Sequence, residues 1–209
     1  MNHATELNKL VEIASRRTDF KTTGYRSFEQ ETQQSLTDAL KSSNLFFTCS
    51  VLGMEAISHV IEDQAINLGG KFDFYAGFQK FSRLMPQEER YRKLSMLNNP
   101  INIFGIPDAQ PWKAPNLKVF TLQKPRSPED SSLTHNWFVV LNNPQFVSMA
   151  LIASELPQAK LSVRNPDKLV YRNFEGFWTY NQTVINEVVN ILDSYIKSQD
   201  SNQTPLNRA

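Results

Sequence analysis

A histidine followed at three and four residues by carboxylates, His59, Glu62 and Asp63 in SHVIEDQ, is a set that a helix gathers on one side. Imidazole titrates near neutrality and shares cations with oxygen donors, so this group has the chemistry to sense protons or to help hold a metal. One histidine falls short of the usual zinc patterns, and a helix-surface charge pair is the plainer reading; no metal ligand is assigned. Cys49 stands just before a helix expected from Ser50, where a helix start would activate a thiolate. No histidine is near it in sequence, and those at 3, 59 and 135 are scattered, so a small buried residue after LFF is the plainer account and no catalytic residue is assigned. LGGKFDFYAGF has glycines but neither GxGxxG nor a GKS or GKT ending, which favours a helix C-terminus at Gly69 and Gly70 over a phosphate cradle. Arg83, Arg90, Arg92 and Lys93 interleave with Glu88 and Glu89, the pattern of a solvated helix face and not of a nucleic-acid track.

The segment RNFEGFWTYNQ, residues 172–182, sets Phe174, Phe177, Trp178 and Tyr180 around Glu175. With Phe104 and Trp137 from neighbouring strands, these rings have the makings of a concave apolar site whose polar contacts come from Arg172, Glu175 or Glu155. Strand alternation sends Phe174, Gly176 and Trp178 to one face and Glu175 and Phe177 to the other, so core packing is the plainer reading for half of the ring set. Both readings stand, and these nine residues are the candidate ligand- or partner-binding set.

The elements that must position them follow from periodicity. Leu7, Leu10, Val11 and Ala14 predict a short helix; residues 18–44 are polar with scattered apolar anchors. Met54, Ile57, Ile61, Ala65 and Leu68 predict a helix from Ser50 to LGG, and a second helical stretch is expected from Asp73 to Leu84. Pro86, Glu88 and Glu89 open another helix that Asn98, Asn99 and Pro100 close. The period then changes: INIFGI (101–106), LKVFTL (117–122), NWFVVLN (136–142) and QFVSMALIASEL (145–156) read as strands, the last two as a hairpin about Asn142, Asn143 and Pro144. A short edge is expected at 169–173, and Asn181 is placed to cap a final helix whose apolar side is Val184, Ile185, Val188, Ile191, Leu192 and Tyr195. The expected fold is therefore α+β: a mainly antiparallel sheet of about four strands flanked by helices, with an N-terminal helical extension over 1–44, a domain over 45–198 and a flexible tail over 199–209.

Composition narrows the function classes. The 209 residues suffice for one sizeable core, and 22 basic against 21 acidic residues supply no global field for nucleic acid or an anionic membrane. A single cysteine excludes an intramolecular disulfide or CxxC clip and favours a reducing compartment. No uncharged apolar stretch approaches the roughly 20 residues of a membrane span, and the start lacks a secretory pattern, so a cytoplasmic location is expected.

Together, SVLGMEAISHVIEDQA, FSRLMPQEERYRKL, INIFGIPDA, NWFVVLNNPQFVSMALIASEL and RNFEGFWTYNQTVINEVVNIL resemble the DICT sensory domain, named for its association with diguanylate cyclases and two-component systems. The resemblance spans about residues 45–195 and implies an α+β signal-input domain, working alongside GGDEF or STAS modules and linked to light responses in photosynthetic bacteria. It carries over no catalytic residue and names no cofactor, and the chain has no GGDEF motif, kinase signature or helix-turn-helix segment. The expected function is a non-enzymatic signalling module that binds a small ligand or a protein partner. The alternative is a constitutive adaptor or a homo-oligomer without ligand, and a third reading is a hydrolase or transferase using Asp108, Glu155 and Glu175 as acid and base.

Overall fold

The computed structural model describes residues 44–68, 71–124, 133–156 and 172–202. Continuous apolar runs such as INIFGI need cover on both sides, and they receive it: all six residues of that strand are buried. One seven-stranded sheet lies between two helical layers.

The strands are β1 (Asn44–Ser50), β2 (Asp73–Lys80), β3 (Ile101–Ile106), β4 (Leu117–Thr121), β5 (Asn136–Asn142), β6 (Met149–Glu155) and β7 (Asn173–Thr179). Their order across the sheet is β1-β7-β6-β5-β2-β3-β4. The pairs β1–β7, β7–β6, β6–β5 and β5–β2 are antiparallel, and β2–β3 and β3–β4 are parallel. The sheet is thus mixed and has seven strands where about four were expected.

The helices are α1 (Val51–Leu68), the one-turn α2 (Phe81–Leu84), α3 (Glu88–Ser95) and α4 (Gln182–Asn202). A 3-10 turn over Met85–Gln87 joins α2 to α3, with Pro86 early in it where its missing N–H costs no helical bond. Met54, Ile61 and Ala65 of α1, Phe81 and Leu84 of α2, and Tyr91 and Leu94 of α3 pack on Phe74, Ala76, Ile103, Val139, Leu151 and Phe174 of the sheet. On the opposite face, Val184, Ile185, Val188 and Leu192 of α4 cover Tyr75, Phe104, Phe138, Ile152 and Phe177. Asn181 caps α4 as its sequence suggests, its Oδ1 accepting from the backbone N–H groups of Thr183 (3.0 Å) and Val184 (3.3 Å).

Three expectations are corrected. Asp73–Lys80 is strand β2 and not helix; only Phe81–Leu84 of that stretch is helical. Phe74, Tyr75 and Phe78 mimic a helical stripe because positions 74–77 are buried on both sides of the sheet, which erases the alternation that marks a half-exposed strand. NLFFTCS forms β1, and α4 continues to Asn202, past the expected end of the domain at 198. The N-terminal helix, the polar region to 43, the Gly69–Gly70 stop and residues 169–171 of the expected edge lie outside the described residues.

Candidate functional site

At one end of the sheet, the end of β2, the start of β5, the end of β6 and the start of β7 meet beneath the first half of α1. The register sets this: Gly77 pairs with Phe138, Trp137 with Ala153, and Glu155 with Phe174. A cavity of about 150 Å³ lies there, walled by Val51, Glu55, Ser58, His59 and Glu62 of α1, by Ala76, Gly77 and Phe78 of β2, and by Trp137 and Val139 of β5. Ser82, Arg83 and Gln87 close one side, and Arg172 closes another.

Arg172 is 2% exposed, and its guanidinium is fixed by a carboxylate. Its Nε donates to Glu155 Oε1 at 2.5 Å and its Nη2 to Glu155 Oε2 at 2.5 Å, a two-pronged charge-assisted pair. Nη2 also donates to Gln79 Oε1, which accepts from Arg83 Nη1 as well, while Gln79 Nε2 donates to Glu155 Oε2 at 3.1 Å. Gln79 lies in the left-handed region, φ 62°, where the β2–β3 register slips between Gly77 and Lys80. A non-glycine residue there stores roughly 1–3 kcal/mol of backbone strain, held in place here by the side-chain bonds to Glu155, Arg83 and Arg172. Burial raises the Glu155 carboxyl, but the hydrogen bonds and charge of Arg172, with Gln79 and Arg83, outweigh it and hold the group below its ordinary range. Arg172 Cζ sits 5.1 Å over the Phe174 ring. Its Nη1 is buried and has no hydrogen-bond partner among the described residues.

A second charged residue lines the cavity from α1. Glu62 is 2% exposed, and Tyr91 donates its hydroxyl to Glu62 Oε1 at 2.7 Å. Glu62 Oε2 has ion-pair neighbours in Arg90 Nε at 3.4 Å and His59 Nε2 at 4.0 Å but no hydrogen bond. Burial pushes this carboxyl up, with Asp63 adding to it, against the pull of Tyr91, His59 and Arg90. Glu62 is therefore a core residue and not the surface partner of His59; His59 Nε2 lies 3.1 Å from Gln87 Oε1. No group of three or more ligating side chains able to hold a metal occurs among the described residues.

The nine ring and charge candidates are dispersed over both faces. Trp137 and Arg172 line the cavity, with Glu155 and Phe174 behind them; Trp137 Nε1 donates to Ser58 Oγ at 3.0 Å, and its ring meets Phe174 edge-on at 5.5 Å. Phe104 and Phe177 are fully buried beneath α4, Phe104 against Phe120, Phe138 and Tyr195. Trp178 is half-buried on the α1 face and packs at 5.4 Å against Tyr180, which is 54% exposed; Glu175 is half-buried opposite Thr48 and Ser154. Sequence reasoning missed Ser58, Gln79 and Tyr91, and placed Glu62 on the surface. The signal for Glu62 was present: it follows Met54 by eight residues and Ser58 by four, which puts it on the buried side of α1.

The other candidate chemistries find ordinary partners. Asp108 accepts from Ser82 N (2.9 Å) and Oγ (2.6 Å). Burial pushes the half-buried Cys49 thiol up, the opposite of an activated nucleophile. Arg92 and Lys93 pair with Glu88 and Glu89 four residues back, as a solvated helix face requires, while Arg90 reaches Asp63 on α1.

Fold and site together define a three-layer α+β domain with a cavity, lined by apolar and charged residues, under one helical layer. Residues 30–156 match the family model of DICT, the sensory domain in diguanylate cyclases and two-component systems, and the chain belongs to that family. DICT domains are sensory, which makes this a sensory module; the family is the one described from diguanylate cyclases and two-component systems. Arg172, β7 and α4 lie beyond the matched residues. No curated protein matches the chain, and neither does any solved structure. Among the described residues no helix is long and apolar enough to cross a membrane.

Proposed function

We propose that this chain is a non-enzymatic sensory module, in the cytoplasm, that reads a small ligand in the cavity between α1 and the sheet and changes its affinity for a signalling partner of the two-component, GGDEF or STAS kind. The observation that carries this reading is a cavity-lining arginine whose buried guanidinium is held by Glu155 and a strained Gln79, yet keeps one nitrogen unpaired. Arrangements that keep a polar group both fixed and unsatisfied are characteristic of recognition sites. Trp137 and Arg172 contact the ligand, Glu155 and Phe174 hold Arg172, and Trp178, Tyr180 and Glu175 serve the partner side.

The output follows from which elements the ligand joins. Val51, Glu55 and Ser58 belong to α1, and Arg172 leads into β7, so occupancy tightens α1 against β5 and β7. A ligand shifts such an equilibrium only by its differential affinity for the two states. At about 150 Å³ the cavity is smaller than the roughly 300–1,000 Å³ of drug-sized ligand sites, so any light response would reach this domain through its partner and not through a large chromophore.

Thermal unfolding in the presence of small acids, amines and amino acids tests the reading. A ligand should raise the melting temperature of the native chain and lose that effect in Ala76→Ile, which projects three more carbons into the cavity. A visible absorption band in freshly purified protein, or no stabilisation by any such compound, would count against it.

A second reading, a constitutive adaptor or oligomerising subunit, is favoured by the outer edges of β1 and β4, which pair with no other strand among the described residues. Leu45 and Phe46 on β1 and Val119 on β4 are exposed. Native mass of the purified chain separates the two readings: a stable multimer without added ligand favours the adaptor.

A further inference from the structure

We propose that the ligand is a small amphoteric molecule, with an acidic group on Arg172 at one wall of the cavity, a hydrogen-bond donor on Glu62 at another, and a short apolar body between them. This rests on the cavity reading above and specifies its ligand class.

The argument is one of leftover valences. A guanidinium has five N–H donors; Nε and Nη2 of Arg172 are engaged by Glu155 and Gln79, and Nη1 is left over. An ionised carboxylate only accepts; Oε1 of Glu62 takes the Tyr91 hydroxyl, and Oε2 is left over within ion-pair range of Arg90 and His59. The residues that carry this buried donor and this buried acceptor thus line the same cavity. An acid without a donor would satisfy Arg172 but leave Glu62 Oε2 without a hydrogen bond, in a cavity that Glu55 also lines. An amine without an acid would leave the guanidinium nitrogen unpaired, with Arg83 beside it. A molecule bearing both groups satisfies both ends. Phe78, Trp137 and Val139 offer apolar contact to the carbons between. The volume admits something the size of an amino acid or a short hydroxy acid.

Sites built to hydrogen-bond a polar group discriminate strongly against analogues that lack it, because the protein group is then left buried and unpaired. The test is calorimetric titration with four probes of equal chain length: γ-aminobutyrate, butyrate, n-butylamine and n-butanol. The native chain should bind γ-aminobutyrate at least about tenfold more tightly than butyrate or butylamine. Glu62→Gln should bring γ-aminobutyrate and butyrate to within about threefold of each other, and Arg172→Lys should weaken the acid-bearing probes while leaving butylamine unchanged. Thermal unfolding of each variant confirms that it is folded.

Equal affinity for γ-aminobutyrate and the single-ended probes, or a preference that survives Glu62→Gln, overturns the proposal. If those probes, or butanol alone, still bind and lose affinity in Ala76→Ile, the cavity remains a ligand site and only the ligand class falls. If none of the four binds at millimolar concentration, both inferences fall together.

Discussion

Replacing Arg172 by methionine removes the charge while keeping an apolar stem over the Phe174 ring. Two charge-assisted hydrogen bonds to Glu155 and one to Gln79 are lost. At about 1.5–3 kcal/mol net for each bond to a charged group, the gross loss over the three is roughly 4.5–9 kcal/mol. Two features reduce it: the Glu155 side chain is 24% exposed and can be rehydrated, and Gln79 keeps its bonds to Arg83 and Glu155. The expected cost is about 3 kcal/mol, at the low end for breaking a buried ion pair. For a chain of this length that is a fall of roughly 6–12 °C in melting temperature, read by circular dichroism. The pH dependence provides the sharper check. Because the Glu155 carboxyl is held below its ordinary value in the folded chain, its stabilisation is complete above the unfolded value of about 4.3 and disappears as pH falls through the folded one. The deficit of Arg172→Met should therefore be full at neutral pH and shrink in acid. Adding Glu155→Gln to Arg172→Met should restore part of the loss at neutral pH. A deficit of equal size at neutral and acid pH would refute the ion-pair account of how Arg172 is held.

Two further perturbations address the rest of the structure. Glu62 titrates in the opposite sense: its folded value is raised, chiefly by burial, so its contribution is complete below about 4.3 and is lost as pH rises through the folded value. Glu62→Gln, which can still accept from Tyr91, should gain stability relative to the native chain between acid and neutral pH, and parallel melting curves across that range would contradict the burial argument. Gly176→Ala puts a Cβ 2.1 Å from the Ile152 carbonyl oxygen and 2.6 Å from Ala153 Cα, both backbone atoms of β6, so the strands must part. A cost of roughly 3 kcal/mol or more is expected in denaturant unfolding, and a near-neutral result would show that β6 and β7 are not seated as described.

What could be read from the residues beforehand depended on whether local pattern or distant packing sets the outcome. The β5–β6 hairpin, the Asn181 cap and the face alternation of Phe174, Phe177 and Trp178 are local, and each occurs as the spacing indicates. β2 was hidden because cover on both faces removes its alternation, and β1 because its sheet partner among the described residues is β7, more than a hundred residues away. The candidate site divides in the same way. Trp137, Glu155, Arg172 and Phe174 stand out as rings and charges, and they do meet; Gln79 depends on a strand irregularity, and Ser58 and Tyr91 on the seating of α1 against β5 and α3. Those are outcomes of packing that no short window of sequence contains.

The position of β7 between β1 and β6 has a consequence for how the chain is made. On the ribosome β1 emerges ahead of every other strand of the sheet, yet the neighbour it needs is the last to leave the exit tunnel. Until residue 179 is free, β1 and the helix it leads into must wait beside a half-built sheet, with the backbone edge of β6 open to wrong partners. Closure of such sequence-distant contacts is the slow and aggregation-exposed step of folding, so chaperone supply during synthesis should matter for this fold.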